Sequence, residues 1–167
     1  MVVSIRALNR QDIDEISRWF ESDSTFPGDF SPFAWKISKG SFISKMRDTI
    51  TDWNSSLKFY IAQNDSTPLG LLLSIKPENF DFFEIGYYVR PEERGKGYGS
   101  DSVRQFTDFL FKNNHRVFRI EAGTSSLNLP SQRLLEKAGF VREGVRRKTL
   151  FRNGEWEDSY LYALIRD

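Results

Sequence analysis

The sequence contains no cysteine and only one histidine, His115. The lack of cysteine excludes disulfides, thiolate nucleophiles and cysteine-type zinc sites, and a single histidine gives little basis for a metal centre or a Ser-His-Asp triad. No apolar run approaches the roughly 18 residues of a membrane span, and the N-terminal MVVSIRALNR lacks the apolar core of a signal peptide. We therefore expect a cytoplasmic protein that uses no metal and has no membrane partner.

The sequence also has almost no net charge, because 24 basic and 23 acidic side chains leave a formal charge of +1. No overall field attracts nucleic acid, so we expect no nucleic-acid partner and any anion site must be local. The chain has 167 residues, 39% of them hydrophobic and 15% aromatic, which is enough to fill one core. We therefore expect a single domain over residues 1–167.

Hydrophobic periodicity predicts a mixture of strands and helices, and thus an α+β fold. Three consecutive strands in the first half indicate an antiparallel meander, and Asn153-Gly154 is a strong signal for a final hairpin. In chain order the predicted elements are a strand over 2–8, a helix after Asn9, a helix over 41–52, strands over 57–63, 68–75 and 80–89, a helix after Gly99, a strand over 117–123, a helix over 129–138, and two strands flanking the Asn-Gly turn.

The most specific local feature is RGKGYG, which places Gly95, Gly97 and Gly99 at alternate positions beside Arg94 and Lys96. The spacing matches neither the Walker A loop nor the G-x-G-x-x-G dinucleotide fingerprint. Successive amides without Cβ atoms at the start of a helix suit an anion such as a pyrophosphate. The alternative is a glycine-rich helix entry with two solvated cations.

Three segments together resemble one family. RGKGYG is similar to the [Q/R]-x-x-G-x-[G/A] signature of the GNAT N-acetyltransferases, and the preceding EIGYYVRP resembles their fourth strand. NLPSQRLLEKAGFVREG resembles a later segment of the subgroup that includes ribosomal-protein N-terminal acetyltransferases and spermidine acetyltransferases. The resemblance implies a mixed, mostly antiparallel sheet of about seven strands, splayed between the fourth and fifth, with about four flanking helices and acetyl-CoA in the gap.

The resemblance also implies a set of cofactor-binding residues. A bulge at Tyr88, Val89 and Arg90 would present backbone groups to pantetheine and to the acetyl carbonyl, so that an amide could stabilise an oxyanion. Asn128 would either bond pantetheine or cap the next helix, and both readings stay open. The residues expected around the pyrophosphate are Arg94, Gly95, Lys96, Gly97, Tyr98, Gly99 and Ser100.

The expected general base is Glu84, which alternates with Gly86 and Tyr88 on one face of its strand and matches the position of a glutamate in many members of the family. The alternatives are a solvated glutamate or one that only orients the amine. Many relatives carry a tyrosine acid in Y-E-K-x-G-F, but Leu135 stands at that position here. Ser131, four residues earlier, is the candidate for contact with the cofactor sulfur, or else it is only a first-turn helix residue.

Aromatic residues are the candidates for the acceptor site. Phe30, Phe33 and Trp35 follow the first helix, and Tyr160 on the last strand is expected to face them, although some of these rings must belong to the core. The subgroup resemblance favours a protein or peptide N-terminal amine as acceptor. A small amine, such as a polyamine or an aromatic amine, and a catalytically weak acetyl-CoA sensor are the alternatives, and a homodimer is compatible with the same resemblance.

Overall fold

The computed structural model describes residues 2–23, 38–52 and 54–166. These residues form an α+β structure in which strands outnumber helices. Its elements are β1 (Val3–Ala7), α1 (Asp12–Ser22), α2 (Lys39–Thr51), β2 (Leu57–Asn64), β3 (Thr67–Ile75), β4 (Phe82–Val89), α3 (Tyr98–Asn113), β5 (Arg119–Ser125), α4 (Leu129–Lys137), β6 (Val141–Arg152) and β7 (Glu155–Ile165), with a short 3-10 helix at Pro91–Glu93 before α3.

The strands form one sheet in the order β1-β2-β3-β4-β5-β7-β6. Each neighbouring pair is antiparallel except β4 and β5, which run parallel and pair only from Phe82–Glu84 to Arg119–Glu121. A parallel pair needs a crossover connection, and α3 provides it. The mixed seven-stranded sheet, splayed between β4 and β5, is therefore confirmed.

Each face of the sheet is covered by a different pair of helices. One core joins α1 and α2 to the sheet, and its helical members are Ile13, Ile16, Trp19, Phe20, Phe42 and Met46. The other core joins α3 and α4 to the opposite face, and its helical members are Val103, Phe106, Leu110, Phe111 and Leu135. None of the described helices combines the length and the apolar character that crossing a membrane requires.

Local hydrogen bonds account for most of the element boundaries. The Asn9 side chain accepts from the amides of Gln11 and Asp12, while the Asp12 carboxylate accepts from the amide of Asn9, so α1 begins as its sequence predicts. α2 begins earlier than predicted because the Ser38 hydroxyl caps it by accepting from Ser41 N at 3.1 Å.

The connections of two consecutive antiparallel strand pairs, β6–β7 and β3–β4, also follow from local backbone conformation. Asn153 and Gly154 have φ values of 50° and 83°, which is the left-handed pair that a two-residue type I′ turn requires. β4 begins at Phe82 rather than at residue 80, because Asn79 has a φ of 65° and the Phe80 amide bonds back to Pro77 O at 3.4 Å. The final hairpin is confirmed with the predicted turn residues.

Close packing between β3 and β4 generates a stability prediction at Gly70. A Cβ atom at this position would lie 2.0 Å from the carbonyl oxygen of Tyr88, so backbone would have to move. We expect Gly70→Ala to lower the free energy of unfolding by about 1–3 kcal/mol, measured by urea denaturation. Gly144→Ala is the control, because nothing lies within 4 Å of its added Cβ. Equal stability of both variants would contradict the close approach.

Candidate active site

The site is organised by the separation of β4 from β5. Beyond Glu84 the two strands no longer pair, whereas β4 stays on β3 through Val89 and β5 stays on β7 through Ser125. The Arg90 amide donates to Leu69 O at 2.9 Å, so by alternation the backbone groups of Val89 point to the other edge of β4, towards the gap. The gap therefore has the edge of a strand as one wall.

The predicted bulge at residues 88–90 is wrong for the ladder between β3 and β4. Its register runs without a shift from Gly70 opposite Val89 to Ile75 opposite Glu84. The irregularity lies one strand away, between Ala62 and Gln63 in the pairing of β2 with β3. The gap-facing edge of β4 arises because β5 diverges, and no extra residue is needed to produce it.

The glycine loop leads from the end of β4 into α3, and glycine is required at its three positions for different structural reasons. Gly95 and Gly97 have φ values of 75° and 89°, which side chains rarely adopt, and no atom lies within 4 Å of a Cβ added to either. A Cβ on Gly99 would lie 2.6 Å from Leu134 Cδ1, so that glycine lets α3 approach α4. The loop thus presents bare backbone beside the first turn of α3.

The first turn of α3 contains Tyr98, Gly99 and Ser100, whose amides have no intrahelical acceptor. The ring of Tyr98 packs against the core beneath α3, and the Ser100 hydroxyl donates to Gly97 O at 3.0 Å. Both side chains thus hold the turn in place while the amides face outward. Unpaired amides at a helix N-terminus, together with the helix dipole, favour anions, so the feature on which the predicted anion site depends is present.

The cations of the loop make contacts within the protein. Lys96 Nζ lies 3.1 Å from Glu93 Oε2, and both Arg94 Nε and Arg94 NH2 are engaged, with Val89 O at 2.9 Å and Asp23 Oδ2 at 2.6 Å. Arg94 therefore ties the loop to the end of β4 and to the residue that follows α1. Its side chain thus orders the loop.

Arg90 has a similar structural position. Its guanidinium lies 3.7 Å from Glu15 Oε1 and 3.6 Å from Glu92 Oε2, donates to Pro68 O at 3.0 Å and stacks over the Trp19 ring at 5.3 Å. These contacts join α1, the start of β3 and the 3-10 helix. The side chain and the amide of Arg90 are thus both used in packing around β4.

Asp23 is the residue of this region that the sequence does not predict. Its buried carboxylate accepts from the Tyr88 hydroxyl at 3.0 Å and from Arg94. Burial, followed by the hydrogen bond and the charge of Asp23, raises the pKa of Tyr88, so the phenol stays protonated. Asp23 lies far from both partners along the chain, and no motif marks it, so only the folded arrangement identifies it.

Glu84 lies at the last pairing position of β4, directly opposite Glu121 of β5. Its neighbours Phe83 and Ile85 face the core of α3 and α4, so Glu84 faces the side of α1 and α2, as alternation predicts. Burial raises the pKa of Glu84 and the charge of Glu121 raises it further, whereas Arg146 opposes both effects. The carboxylate is thus a stronger base than an exposed glutamate.

Charged side chains continue from Glu84 along the same face. Arg119 Nε bonds Glu121 Oε1 at 2.7 Å, and the other end of the guanidinium forms a bidentate pair with Glu143, with contacts at 3.1 and 2.5 Å. This pairing lowers the pKa of Glu143. The face next to Glu84 therefore carries both signs of charge, with Arg119 between two carboxylates.

The start of α4 brings two hydroxyls together on the opposite face. Asn128 caps the helix by accepting from Ser131 N at 3.1 Å, which agrees with the capping alternative. The Ser131 hydroxyl lies 2.6 Å from the Tyr87 hydroxyl of β4. Leu135, one turn later, is fully buried in the core of α3 and α4.

Within the described residues, the aromatic side chains predicted for the acceptor site do not lie beside Glu84. Phe30, Phe33 and Trp35 lie outside the described part of the chain. Tyr160 packs partly against the core of α3 and α4, with Arg142 over its ring at 4.6 Å. Tyr160 is therefore on the opposite face of the sheet from Glu84, and the two side chains do not line one surface.

The chain matches a family model described as an acetyltransferase (GNAT) domain over residues 3–141. It is 43% identical over 81 residues to the probable N-acetyltransferase YjcK of Bacillus subtilis, a match that covers 48% of this chain and 44% of YjcK. The matches to two further relatives each cover 62% of the relative's own length. The chain thus spans between 44% and 62% of the length of these three curated relatives.

Solved structures agree over nearly the whole length. A spermidine N-acetyltransferase from Vibrio cholerae, in complex with CoA and spermine, superposes with a TM-score of 0.81 at 20% identity, covering 98% of this chain and 95% of that one. An acetyltransferase from Salmonella typhimurium that modifies the N-terminal serine of ribosomal protein L7/L12 gives 0.83 at 18% identity, covering 100% and 96%. At these identities the similarity to solved structures shows a shared fold. The match to the family model over residues 3–141 shows that the chain belongs to the GNAT acetyltransferase family.

Proposed function

We propose that the chain is an acetyl-CoA-dependent N-acetyltransferase in which a primary amine attacks the thioester directly in a ternary complex, and that the acceptor is the α-amine of a peptide or protein. The observation that carries the proposal is the separation of β4 from β5 at Glu84, with the glycine loop at the far end of β4. We thus assign an anion cradle and a base to one opening.

The cradle suits the pyrophosphate of acetyl-CoA. The amides of residues 95–100 lead into and begin a 16-residue helix, and the backbone is open at Gly95 and Gly97. Unpaired N–H groups and the helix dipole stabilise anions at such a position. Arg94 supports the loop through Asp23 and Val89. The pantetheine arm would then follow the edge of β4, where the Val89 amide can donate to the thioester carbonyl oxygen as it becomes negative.

Glu84 would accept the proton that the amine loses. An α-amino group ordinarily has a pKa of about 7.7–8.0, compared with about 10.4 for a lysine-type amine. A substantial fraction of an α-amine is therefore already neutral near pH 7.5, and a carboxylate whose pKa is raised by burial can serve as its base. This match of acidity supports an α-amine over an ε-amine or a polyamine.

The charges beside Glu84 also support an acceptor with one amine. A polyamine carries several positive charges, and along this face it would meet Arg119 and Arg146 as well as the carboxylates. Arg119 already pairs with both Glu121 and Glu143. A peptide presents a single amine followed by neutral carbonyls and amides, which tolerate a surface of mixed charge.

An acceptor panel tests the proposed substrate class. With purified protein and acetyl-CoA, we expect peptides with a free N-terminus to give kcat/KM values at least about tenfold above those of spermidine, small aromatic amines and peptides whose only amine is a lysine. Mass spectrometry locates the acetyl group, and the same peptide with a blocked N-terminus is the matched control. Acetylation of spermidine alone would identify a polyamine enzyme, and CoA binding without any turnover would identify a sensor.

Gly97→Val tests the cofactor cradle. A β-branched side chain at a φ of 89° is strained, and it would occupy the open space in front of the amides. We expect acetyl-CoA affinity to fall more than tenfold, measured by calorimetry. In the wild-type protein a hundredfold excess of acetyl-CoA over its Kd should stabilise the fold by about 2.7 kcal/mol.

The matched control for this variant is Gly154→Val in the final hairpin. Gly154 has a similar φ of 83° and equally open surroundings, so the backbone penalty is comparable, but it lies in the β6–β7 turn. We expect this control to lose stability and keep the affinity of the wild type. Unchanged affinity in Gly97→Val would remove the loop from the cofactor site.

Glu84→Gln tests the general base. The substitution keeps shape and removes basicity, so we expect kcat to fall by roughly 100- to 10,000-fold while acetyl-CoA affinity is retained. Higher pH should partly restore the rate, since more of the amine is then neutral without help. A pure KM defect that pH does not repair would instead indicate a positioning role.

The sign of the pKa shift gives two further checks on Glu84. Because its pKa is raised in the folded state, ionisation of Glu84 costs stability as pH rises, and Glu84→Gln should melt at a higher temperature than the wild type at pH 8 but not at pH 4. In a plot of kcat/KM against pH, the midpoint of the acidic limb should lie above the ordinary glutamate pKa of about 4.3.

Glu121→Gln should move the midpoint of that limb to lower pH, because the substitution removes a like charge beside Glu84.

A further inference from the structure

The buried carboxylate of Asp23 joins the end of α1 to the glycine loop. Arg94 NH2 donates to Asp23 Oδ2 at 2.6 Å, and the same oxygen accepts from the Tyr88 hydroxyl at 3.0 Å. The side chain of Asp23 is 5% exposed, whereas that of Arg94 is 45% exposed. Asp23 is therefore fixed inside the fold, and it reaches the loop through the guanidinium of Arg94.

The guanidinium of Arg94 also holds the end of β4. Its Nε donates to Val89 O at 2.9 Å, while the amide of Arg90 donates to Leu69 O of β3 at 2.9 Å. The peptide group between Val89 and Arg90 is thus held from both edges of the strand. Because Arg94 directly precedes Gly95, its side chain fixes the start of the loop relative to that peptide group.

Charge alone does not explain a carboxylate at this place. A negative charge beside a loop that binds phosphates lowers the affinity of the loop for them, and Arg94 without Asp23 would make the region more positive. What the pair provides is geometry, because the planar guanidinium donates in two fixed directions, to Asp23 and to Val89. The contacts therefore fit a role in alignment and not in attracting an anion.

We propose that Asp23 is a positioning residue for acetyl-CoA, which acts by holding Arg94 and so fixes the distance between the glycine loop and the amide of Val89. This inference rests on the proposed function, in which the loop binds the pyrophosphate and the Val89 amide donates to the thioester oxygen. Both ends of one molecule then bind together because the two contacts are preformed at one spacing, and no binding energy is used to order them.

The decisive experiment compares CoA with 3′-phospho-ADP, which is CoA without its pantetheine arm. Asp23→Asn keeps the shape of the side chain and leaves no buried charge unpaired, because the Arg94 side chain is half-exposed. We expect the Kd of 3′-phospho-ADP divided by the Kd of CoA, measured by calorimetry, to fall about fivefold in this variant, because the arm then binds less well once the loop is anchored. A general loss of stability would leave this ratio unchanged.

The sign of the effect separates alignment from charge. If Asp23 acted through its charge alone, Asp23→Asn would bind both ligands more tightly, and that result would overturn the inference. Arg94→Lys keeps the cation but loses the planar group that spans two acceptors, so we expect it to lower the same ratio about fivefold. The double variant should be no worse than either single variant, because both changes interrupt one connection. Additive losses would contradict the inference.

Kinetics give the second readout. With a working acceptor, Asp23→Asn should lower kcat/KM for acetyl-CoA at least about tenfold, because small displacements of a group that contacts the reacting atoms are costly in rate. The KM for the acceptor should stay at the wild-type value, since the acceptor does not contact the loop. An unchanged kcat/KM for acetyl-CoA would overturn the inference.

Asp12→Asn is the matched control. Asp12 is a second buried aspartate of α1, and it pairs with Arg6 through two contacts of 2.7 Å. It is the first residue of the helix, about 16 Å from the end that carries Asp23. We expect this variant to lose stability while it keeps the wild-type Kd ratio and kcat/KM. An equal fall of the ratio in both aspartate variants would overturn the inference, whereas failure of the wild-type protein to bind CoA would overturn the proposed function itself.

Discussion

The structure depends on a seam of three residue pairs. Phe82–Glu84 of β4 pair with Arg119–Glu121 of β5. Among the described residues, these parallel contacts alone join β1–β4 to β5, β7 and β6 within the sheet. Each strand then follows its antiparallel partner, β4 on β3 and β5 on β7, so the two halves diverge. Backbone hydrogen bonding in each half is thus satisfied while an opening forms between the halves.

The alternation of a strand divides the chemistry of this opening between two faces. Glu84 ends the paired segment and faces α1 and α2, whereas Tyr87 lies three positions later and faces α3 and α4. Glu84 and the hydroxyl bridge of Tyr87 with Ser131 therefore lie on opposite faces of the sheet beside one opening. Because Glu84 and Tyr87 both belong to β4, the spacing between them is set by a rigid strand.

Support for the glycine loop comes from residues outside the loop. Arg94 bonds Asp23 and Val89, Asp23 also holds the Tyr88 hydroxyl, and Arg94 lies over the Tyr88 ring at 5.4 Å. The end of α1, the end of β4 and the glycine loop thus share one buried carboxylate. Such a charge is tolerated because a guanidinium and a phenol satisfy it, so the loop and α1 are coupled electrostatically.

The sequence by itself determined the features that depend on neighbouring residues: the order of strands and helices, the Asn153-Gly154 turn and the positive φ at Gly95 and Gly97. Periodicity and backbone freedom are local properties, so they can be read along the chain. Only the tertiary structure decided which side chains meet. The bridge of Tyr87 with Ser131 and the bonds of Asp23 to Tyr88 and Arg94 join residues 44, 65 and 71 positions apart. No local pattern records such distances, because they are set by how the two halves of the sheet separate.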